Sequence, residues 1–301
     1  GSMTAPNHIA RSDQTLREYQ FTDHDFQTIA ALAHQRYGLH LQPSKKPLVY
    51  SRLTKRLRAL NLPDFESYCA LLSDPRGHAE QSHLLSALTT NVTHFFRERH
   101  HFTYLREKIL PDLVEKAKKG SSVRIWSSAC SAGQEAYSIA AMIRDACPEA
   151  SRLDIKLLAT DVDPQMIQKA RQARYDRDQA DAIPDEYKRL MIEDDGGQQF
   201  KIRQDLTSLV SFGELNLIGD WPMRRRFDVI FCRNAAIYFD KDTQVRLWQR
   251  FADVLQDDGH LMIGHSERLT GPAQSEFRSV AITTYQRLAR NTALARPQTK
   301  D

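Results

Sequence analysis

The chain has 301 residues, room for one large or two modest domains, and its 41% apolar and 27% charged content is that of a globular protein. Forty-two basic residues against 38 acidic ones leave +4, too little to imply a nucleic-acid partner by itself. No apolar run approaches the roughly 20 residues needed to span a bilayer. The four cysteines, Cys69, Cys130, Cys147 and Cys232, form no C-x-x-C pair. Reduced thiols and a cytoplasmic location are therefore expected.

Gly1-Ser2 ahead of Met3 reads as an expression remnant, and the polar stretch 1–17 is expected to be disordered. Helical spacing then begins, with Phe26, Ile29, Ala30 and Ala33 on one face and Gly38 as a stop signal. In the next helix Leu53, Leu57 and Leu60 share one face, and Arg52, Lys55 and Arg56 share another. Such a stripe is most often a solvated surface. Asp64 can cap a third helix through Phe65, Tyr68 and Leu71, and Leu84, Leu85 and Leu88 mark a fourth. No strand signal interrupts them, so 18–90 is expected to be an all-α domain.

Residues 91–122 read as a linker and a helix. From 123 to 290 strands and helices alternate, which favours a largely parallel sheet. Strands are expected at 123–127, 155–160, 227–232 and 260–264, with a late pair around 280–288. Helices are expected at 135–146, 164–173 and 243–255, with Asp163 capping the second and Pro164 at its first position. The stretch 174–212, with its Gly-Gly pair and the alternating run Gln199-Phe-Lys-Ile-Arg, reads as a small antiparallel insert. The tail 291–301 is expected to be disordered.

The run Trp126-Ser-Ser-Ala-Cys-Ser-Ala-Gly-Gln-Glu135 joins an apolar strand to a helix, and the next strand ends in Asp161. A tight loop followed by an acid for ribose hydroxyls is the layout of a nucleotide-binding βαβ unit. G-x-G-x-x-G is missing, so a dinucleotide is the weaker reading, and S-adenosylmethionine (SAM) needs no pyrophosphate cradle. Asp163 already caps the following helix, which frees Asp161 for a ligand. Glu135 in a first helical turn is either a dipole partner or a ligand group. Arg233 and Asn234 follow the 227–232 strand, where open α/β sheets bind ligands, and Tyr238 lies within reach or packs under a helix. No metal-ligand spacing appears, so no metal is expected. His265-Ser266-Glu267 lacks a G-x-S-x-G elbow and reads as a strand end lining the pocket.

Asn91-x-Thr93-x-Phe95-Phe96-Arg97, Ser131-Ala-Gly-Gln-Glu-Ala-Tyr-Ser138, Ala159-Thr-Asp-Val-Asp163, Asn216-Leu217, Cys232-Arg-Asn-x-x-Ile-Tyr-Phe239 and Gly264-His-Ser-Glu267 occur in that order. Together they resemble the CheR family, SAM-dependent methyltransferases that esterify glutamates of bacterial chemoreceptors. The resemblance implies a Rossmann-like SAM-dependent methyltransferase domain, an N-terminal all-α receptor-docking domain and a β-subdomain at the insert. It implies SAM contacts at Asn91, Thr93, Arg97, Glu135, Asp161, Asn216, Leu217, Arg233 and Asn234. Arg97 and Tyr238 are placed near the reacting centre, and S-adenosylhomocysteine is the product. Gly133-Gln-Glu-Ala-Tyr137 departs from the family's usual Gly-Glu-Glu-Pro-Tyr, and Ala235 and Ala236 are smaller than the usual residues.

The implied partner is the cytoplasmic helical domain of chemoreceptors, with no nucleic acid and no membrane insertion. Its acidic surface gives Arg52, Lys55 and Arg56 a docking role. The loop Glu193-Asp-Asp-Gly-Gly197 is short and acidic beside the family's peptide-binding versions, so no C-terminal pentapeptide tether is expected to be required. The competing readings are a nucleic-acid amino-methyltransferase and a non-catalytic SAM-sensing adaptor.

Overall fold

The computed structural model describes residues 18–89, 92–194 and 196–290. The expectations of disorder for 1–17 and 291–301 fall outside them. Two compact units divide between Thr90 and Asn91.

The first unit is helical. Helix α1 (Asp23–Tyr37) starts with a reciprocal cap between Thr22 and Asp25, and Gly38 ends it at φ 70°. Helix α2 (Lys46–Ala59) buries Val49, Leu53 and Leu57. Asp64 caps α3 (Phe65–Ser73) by accepting from the Ser67 amide at 2.8 Å. Helix α4 (His78–Leu88) buries Leu84, Leu85, Leu88 and one acid, Glu80. Both oxygens of Glu80 accept from Arg56, at 2.8 and 2.7 Å, and Tyr68 adds a hydroxyl at 2.9 Å. A buried charge is tolerable only when paired in this way.

The second unit opens with α5 (Arg99–Tyr104), one wide turn over Leu105–Ile109, and α6 (Leu110–Lys118). Then come β1 (Val123–Ser127), α7 (Gln134–Ala146), β2 (Ile155–Asp161) and α8 (Pro164–Gln172), the last capped by Asp163. A three-stranded antiparallel sheet follows, from β3 (Arg174–Asp176), β4 (Ile192–Glu193) and β5 (Gln199–Ile202), in the order β3-β5-β4. Helix α9 (Asp185–Met191) lies between β3 and β4, and α10 (Gln204–Thr207) leads to β6 (Val210–Glu214). The chain closes through β7 (Phe227–Cys232), α11 (Lys241–Val254), β8 (Leu255–Ile263) and the hairpin β9 (Phe277–Ala281) and β10 (Thr284–Arg287).

The main sheet has the order β6-β2-β1-β7-β8-β10-β9, parallel through β8 and antiparallel at the hairpin. Its parallel centre is covered on both faces, which is why β7 is buried at every position. Alternate side chains serve different cores. Ile125, Val229 and Phe231 join α7 and the Phe95–Val114 segment, while Trp126, Ile230 and Cys232 join α11.

One strand escaped the periodicity reading. The insert was placed at 174–212, yet Val210–Glu214 pairs in parallel with β2 from Leu157 to Asp161. It is an edge strand with no fully buried position, so it lacks the apolar signature of its neighbours. Chain order turns at β1: β2 lies on one side and β7 on the other. Ligands of open α/β sheets sit beyond the carboxyl ends of the strands at such a switch point.

Candidate functional site

The carboxyl ends of β1, β2, β7 and β8 form a rim, and buried charged side chains tie its loops together. Arg233, which is 6% exposed, is the hub. Its Nε donates to Glu135 at 2.7 Å, its Nη1 donates to the Arg97 carbonyl at 2.5 Å, and Nη1 also lies 3.2 Å from His101 Nδ1. The guanidinium sits over the rings of Phe102 and Phe231, at 5.2 and 5.7 Å. The other Glu135 oxygen accepts from Ser127 at 2.6 Å. Sequence reasoning gave Glu135 and Arg233 separately to a ligand; the structure pairs them with each other.

His101 is fully buried, and burial followed by the Arg233 charge pushes its pKa down to about 3. It is therefore neutral. With Nδ1 accepting from Arg233, the ring proton sits on Nε2 and is donated to Thr283 Oγ1 at 2.8 Å. Glu98 has φ 56° and accepts from both the amide and Nδ1 of His265, each at 2.8 Å. Its other oxygen makes no hydrogen bond and lies 3.6 Å from both Arg233 and His101. Burial alone would raise this carboxyl, but the His265 bonds and the Arg233 charge outweigh it and hold the pKa below the usual range.

Glu267 closes the rim. One oxygen accepts from the amides of Asn234 (2.6 Å) and Gly264 (2.9 Å), the other from Ala236 (2.7 Å). Burial raises its pKa against the pull of those three amides. Asn234 takes φ 63°, and a Cβ on Gly264 would stand 2.6 Å from Glu267 and 2.8 Å from the Asn234 amide oxygen. Only glycine fits there.

At the end of β2, Asp161 accepts from the amides of Ser131 and Asp163, both at 2.9 Å. Burial pushes its pKa up to about 6 despite these bonds. The loop between β1 and α7 passes beneath it, with Ser131 at φ 51° and Gly133 at φ 100°. A Cβ on Gly133 would come within 2.9 Å of the Tyr175 hydroxyl, so glycine lets the loop lie against the small sheet.

The other expected residues are distributed as follows. Asn91 lies outside the described residues. Thr93 is half-buried, and half-buried Arg97 donates to the Val92 carbonyl at 3.3 Å. Asn216 follows β6 and accepts from the Ile218 amide, while Leu217 is buried and its carbonyl takes Arg250 at 2.6 Å. Tyr238 is half-buried in the short turn Ala236–Tyr238 after β7. Arg52, Lys55 and Arg56 lie on α2 of the other unit. Arg56 is engaged by Glu80, Arg52 donates to the Ala87 carbonyl at 3.1 Å, and Lys55 is exposed. Sequence reasoning missed Glu98 and His101, and took Glu267 for part of a strand end lining the pocket without its role of gathering amides.

The "CheR methyltransferase, SAM binding domain" family matches residues 91–286, and "CheR methyltransferase, all-alpha domain" matches 24–89. The chain belongs to the CheR methyltransferase family. It is similar to the probable chemotaxis protein methyltransferase of Rhizobium etli, 45% identical over 252 residues, 83% of this chain and 94% of that one. It is 37% identical to the chemotaxis protein methyltransferase of Salmonella typhimurium over 90% of this chain and 93% of that one. Against the chemotaxis protein methyltransferase of Borreliella burgdorferi the identity is 34%, over 88% and 95%.

As a CheR-family protein this is a SAM-dependent methyltransferase with SAM as its methyl donor. The side chains fit that donor. Asp161 ends β2 with its oxygens on the amides of Ser131 and Asp163, and a carboxylate has about four acceptor sites, enough to take a vicinal diol as well. Asn216 is half-buried beside buried Leu217, and no phosphate cradle is needed. No group of three or more His, Cys, Asp or Glu arranged for a metal occurs among the described residues.

Proposed function

We propose that this protein transfers the methyl group of SAM to glutamate side chains of bacterial chemoreceptors, forming methyl esters in the cytoplasm. The kinship with chemotaxis protein methyltransferases, over 83–90% of this chain and 93–94% of theirs, supports the receptor as substrate. The state of the buried acids and bases on the rim supports a carboxylate nucleophile. Glu135 is bound by Ser127 and Arg233, Glu267 by three amides and Glu98 by His265, while neutral His101 has both ring nitrogens engaged. A glutamate, with a reference pKa of about 4.3, is already ionised near neutral pH and needs none of them as a base.

The bound donor would supply an electrophilic methyl on a sulfonium, so that a carboxylate oxygen gains the C–O bond while the C–S electron pair stays on sulfur. The protein's task is alignment. Asp161 takes the ribose hydroxyls, and Asn91, Thr93, Asn216, Leu217 and Asn234 complete the donor's surroundings. Glu135 and Arg233 act as a pair that fixes the floor between β1 and β7. Arg97 and Tyr238 orient the incoming carboxylate through a charged and a neutral hydrogen bond. Arg52 and Lys55 face the acidic receptor helices, and Arg56 contributes its charge from within its pair with Glu80. The loop 193–197 marks a member that works without a pentapeptide tether.

The nucleic-acid and adaptor readings are not favoured, because relatives matched over 83% or more of the chain are named as chemotaxis protein methyltransferases. Transfer of label from radioactive SAM to receptor cytoplasmic fragments tests the proposal. Label released as methanol by mild base is expected; base-stable label, or label on nucleic acid alone, overturns it. Tyr238→Phe and Arg97→Ala are expected to lower turnover with SAM affinity retained.

A further inference from the structure

The hairpin β9–β10 carries a feature that catalysis does not use. Its two-residue tip is Ile282-Thr283, and Ile282 is 70% exposed. A lone exposed isoleucine needs no explanation. This one does, because the tip that presents it is strained and fastened. Thr283 has φ 49°, a left-handed conformation that this position of a turn normally gives to glycine or asparagine and that a β-branched residue rarely takes. Buried His101 holds its hydroxyl at 2.8 Å, His100 lies 3.4 Å away, and its carbonyl accepts from Ile263 at the end of β8. Strain of this kind persists where the surroundings enforce it, and it clusters at functional sites.

The tip stands on the same rim as the site. Strand β10 runs antiparallel to β8 and starts at Thr284 opposite Met262, so Ile282 lies at the carboxyl end of β8. The link His101–Arg233 separates it from the loop that bears Asn234. A second exposed isoleucine, Ile237 (42%), follows β7 in the turn that holds Tyr238. In strand order β8 lies between them, so its terminal turn, 264–267, is flanked by the two isoleucines. The exposed charges of these segments are mainly basic, Arg99, Arg268 and Lys241 against Asp242, while among the half-buried ones Arg97 is set against Glu98 and Asp240.

We propose that Ile282 and Ile237 are apolar anchors for the methyl-accepting helix itself, an amphipathic helix whose apolar stripe rests on the two isoleucines while its acidic face meets the surrounding basic side chains. This rests on the receptor reading above and names the surface that would select the helix at the reacting centre, separately from the α2 stripe. Paired apolar and charged recognition of this kind places affinity in the apolar contacts and orientation in the charges.

The test measures methylation kinetics of a receptor cytoplasmic fragment by wild type, Ile282→Asp, Ile237→Asp and Leu288→Asp. Leu288 is 41% exposed at the far end of β10 and serves as the control. Each isoleucine variant is expected to raise KM for the fragment about tenfold or more, with SAM affinity by calorimetry and the melting temperature unchanged and Leu288→Asp behaving as wild type. Ile282→Ala, which cannot introduce repulsion, is expected to raise KM about threefold or more. Unchanged KM in both isoleucine variants, or an equal rise in Leu288→Asp, overturns the anchor surface. A change of oligomeric state on sedimentation in Ile282→Asp also overturns it, by showing a contact between copies. Wild type that labels no fragment at all would instead sink the receptor reading, and this inference with it.

Discussion

Replacing Glu267 by glutamine isolates what one buried carboxylate does for the rim. Glu267 takes three amides on two oxygens: Asn234 and Gly264 on one, Ala236 on the other. A glutamine has one acceptor oxygen. Whichever way it lies, its NH2 faces at least one amide donor, and that amide is left buried without a partner. A lost hydrogen bond to a charged group costs about 1.5–3 kcal/mol. Against this, burial raises the Glu267 pKa, so the fold holds the ionised acid less readily than water does, and removing the charge returns part of that penalty. The net expectation is a loss of about 1–3 kcal/mol, or a fall of roughly 3–10 °C in melting temperature for a unit of this size. The released segment carries Asn234, so KM for SAM is expected to rise about five- to thirtyfold, with turnover at saturating SAM less affected. Calorimetric melting and steady-state kinetics with varied SAM give both numbers. A variant that melts with wild type and binds SAM equally well would refute the idea that Glu267 organises this loop.

Asp161 predicts two pH effects of opposite sign. Its folded pKa of about 6 lies above its ordinary value, so its contribution to stability is fully present below the unfolded pKa and is lost as pH rises through 6. Lowering pH from 7 to 5 should stabilise the donor-free protein by about 1.4 kcal/mol while weakening SAM about tenfold; Asp161→Asn should flatten both trends in thermal melts with and without SAM. Arg56→Ala leaves Glu80 buried with only Tyr68, and should destabilise the helical unit by about 2–4 kcal/mol in urea or thermal melts. A loss of receptor methylation with no loss of stability would show that Arg56 serves docking rather than folding. Calorimetric titration with a receptor C-terminal pentapeptide should show no binding at micromolar concentrations; micromolar affinity would overturn the tether-free reading.

The parts of the fold that were legible are those with a period or a local chemical cause. Strands β1, β2 and β7 announce themselves as apolar runs because both sheet faces are covered, and Gly38, Asp64 and Asp163 act within a few residues of themselves. Strand β6 was hidden because an edge strand needs no continuous apolar run. The rim was legible only as a set of motifs. Nothing in the spacing of Glu98, His101, Glu135, Arg233 and Glu267 says that 98 residues separate two halves of one ion pair, or that one acid gathers amides from two loops. Likewise, three cations on one face of α2 look alike in sequence, although Glu80, 24 residues on, engages only Arg56.

The carboxylate bonds to the rim also change what kind of loops these are. The amides of Asn234, Ala236, Gly264 and His265 belong to turns, yet each is held by an acid. Such amides open only when their acceptor moves, so their hydrogen exchange should be as slow as that of the neighbouring strands. The conformational entropy of these turns is then surrendered when the chain folds and not when ligand arrives. Binding should accordingly rigidify this half of the rim very little.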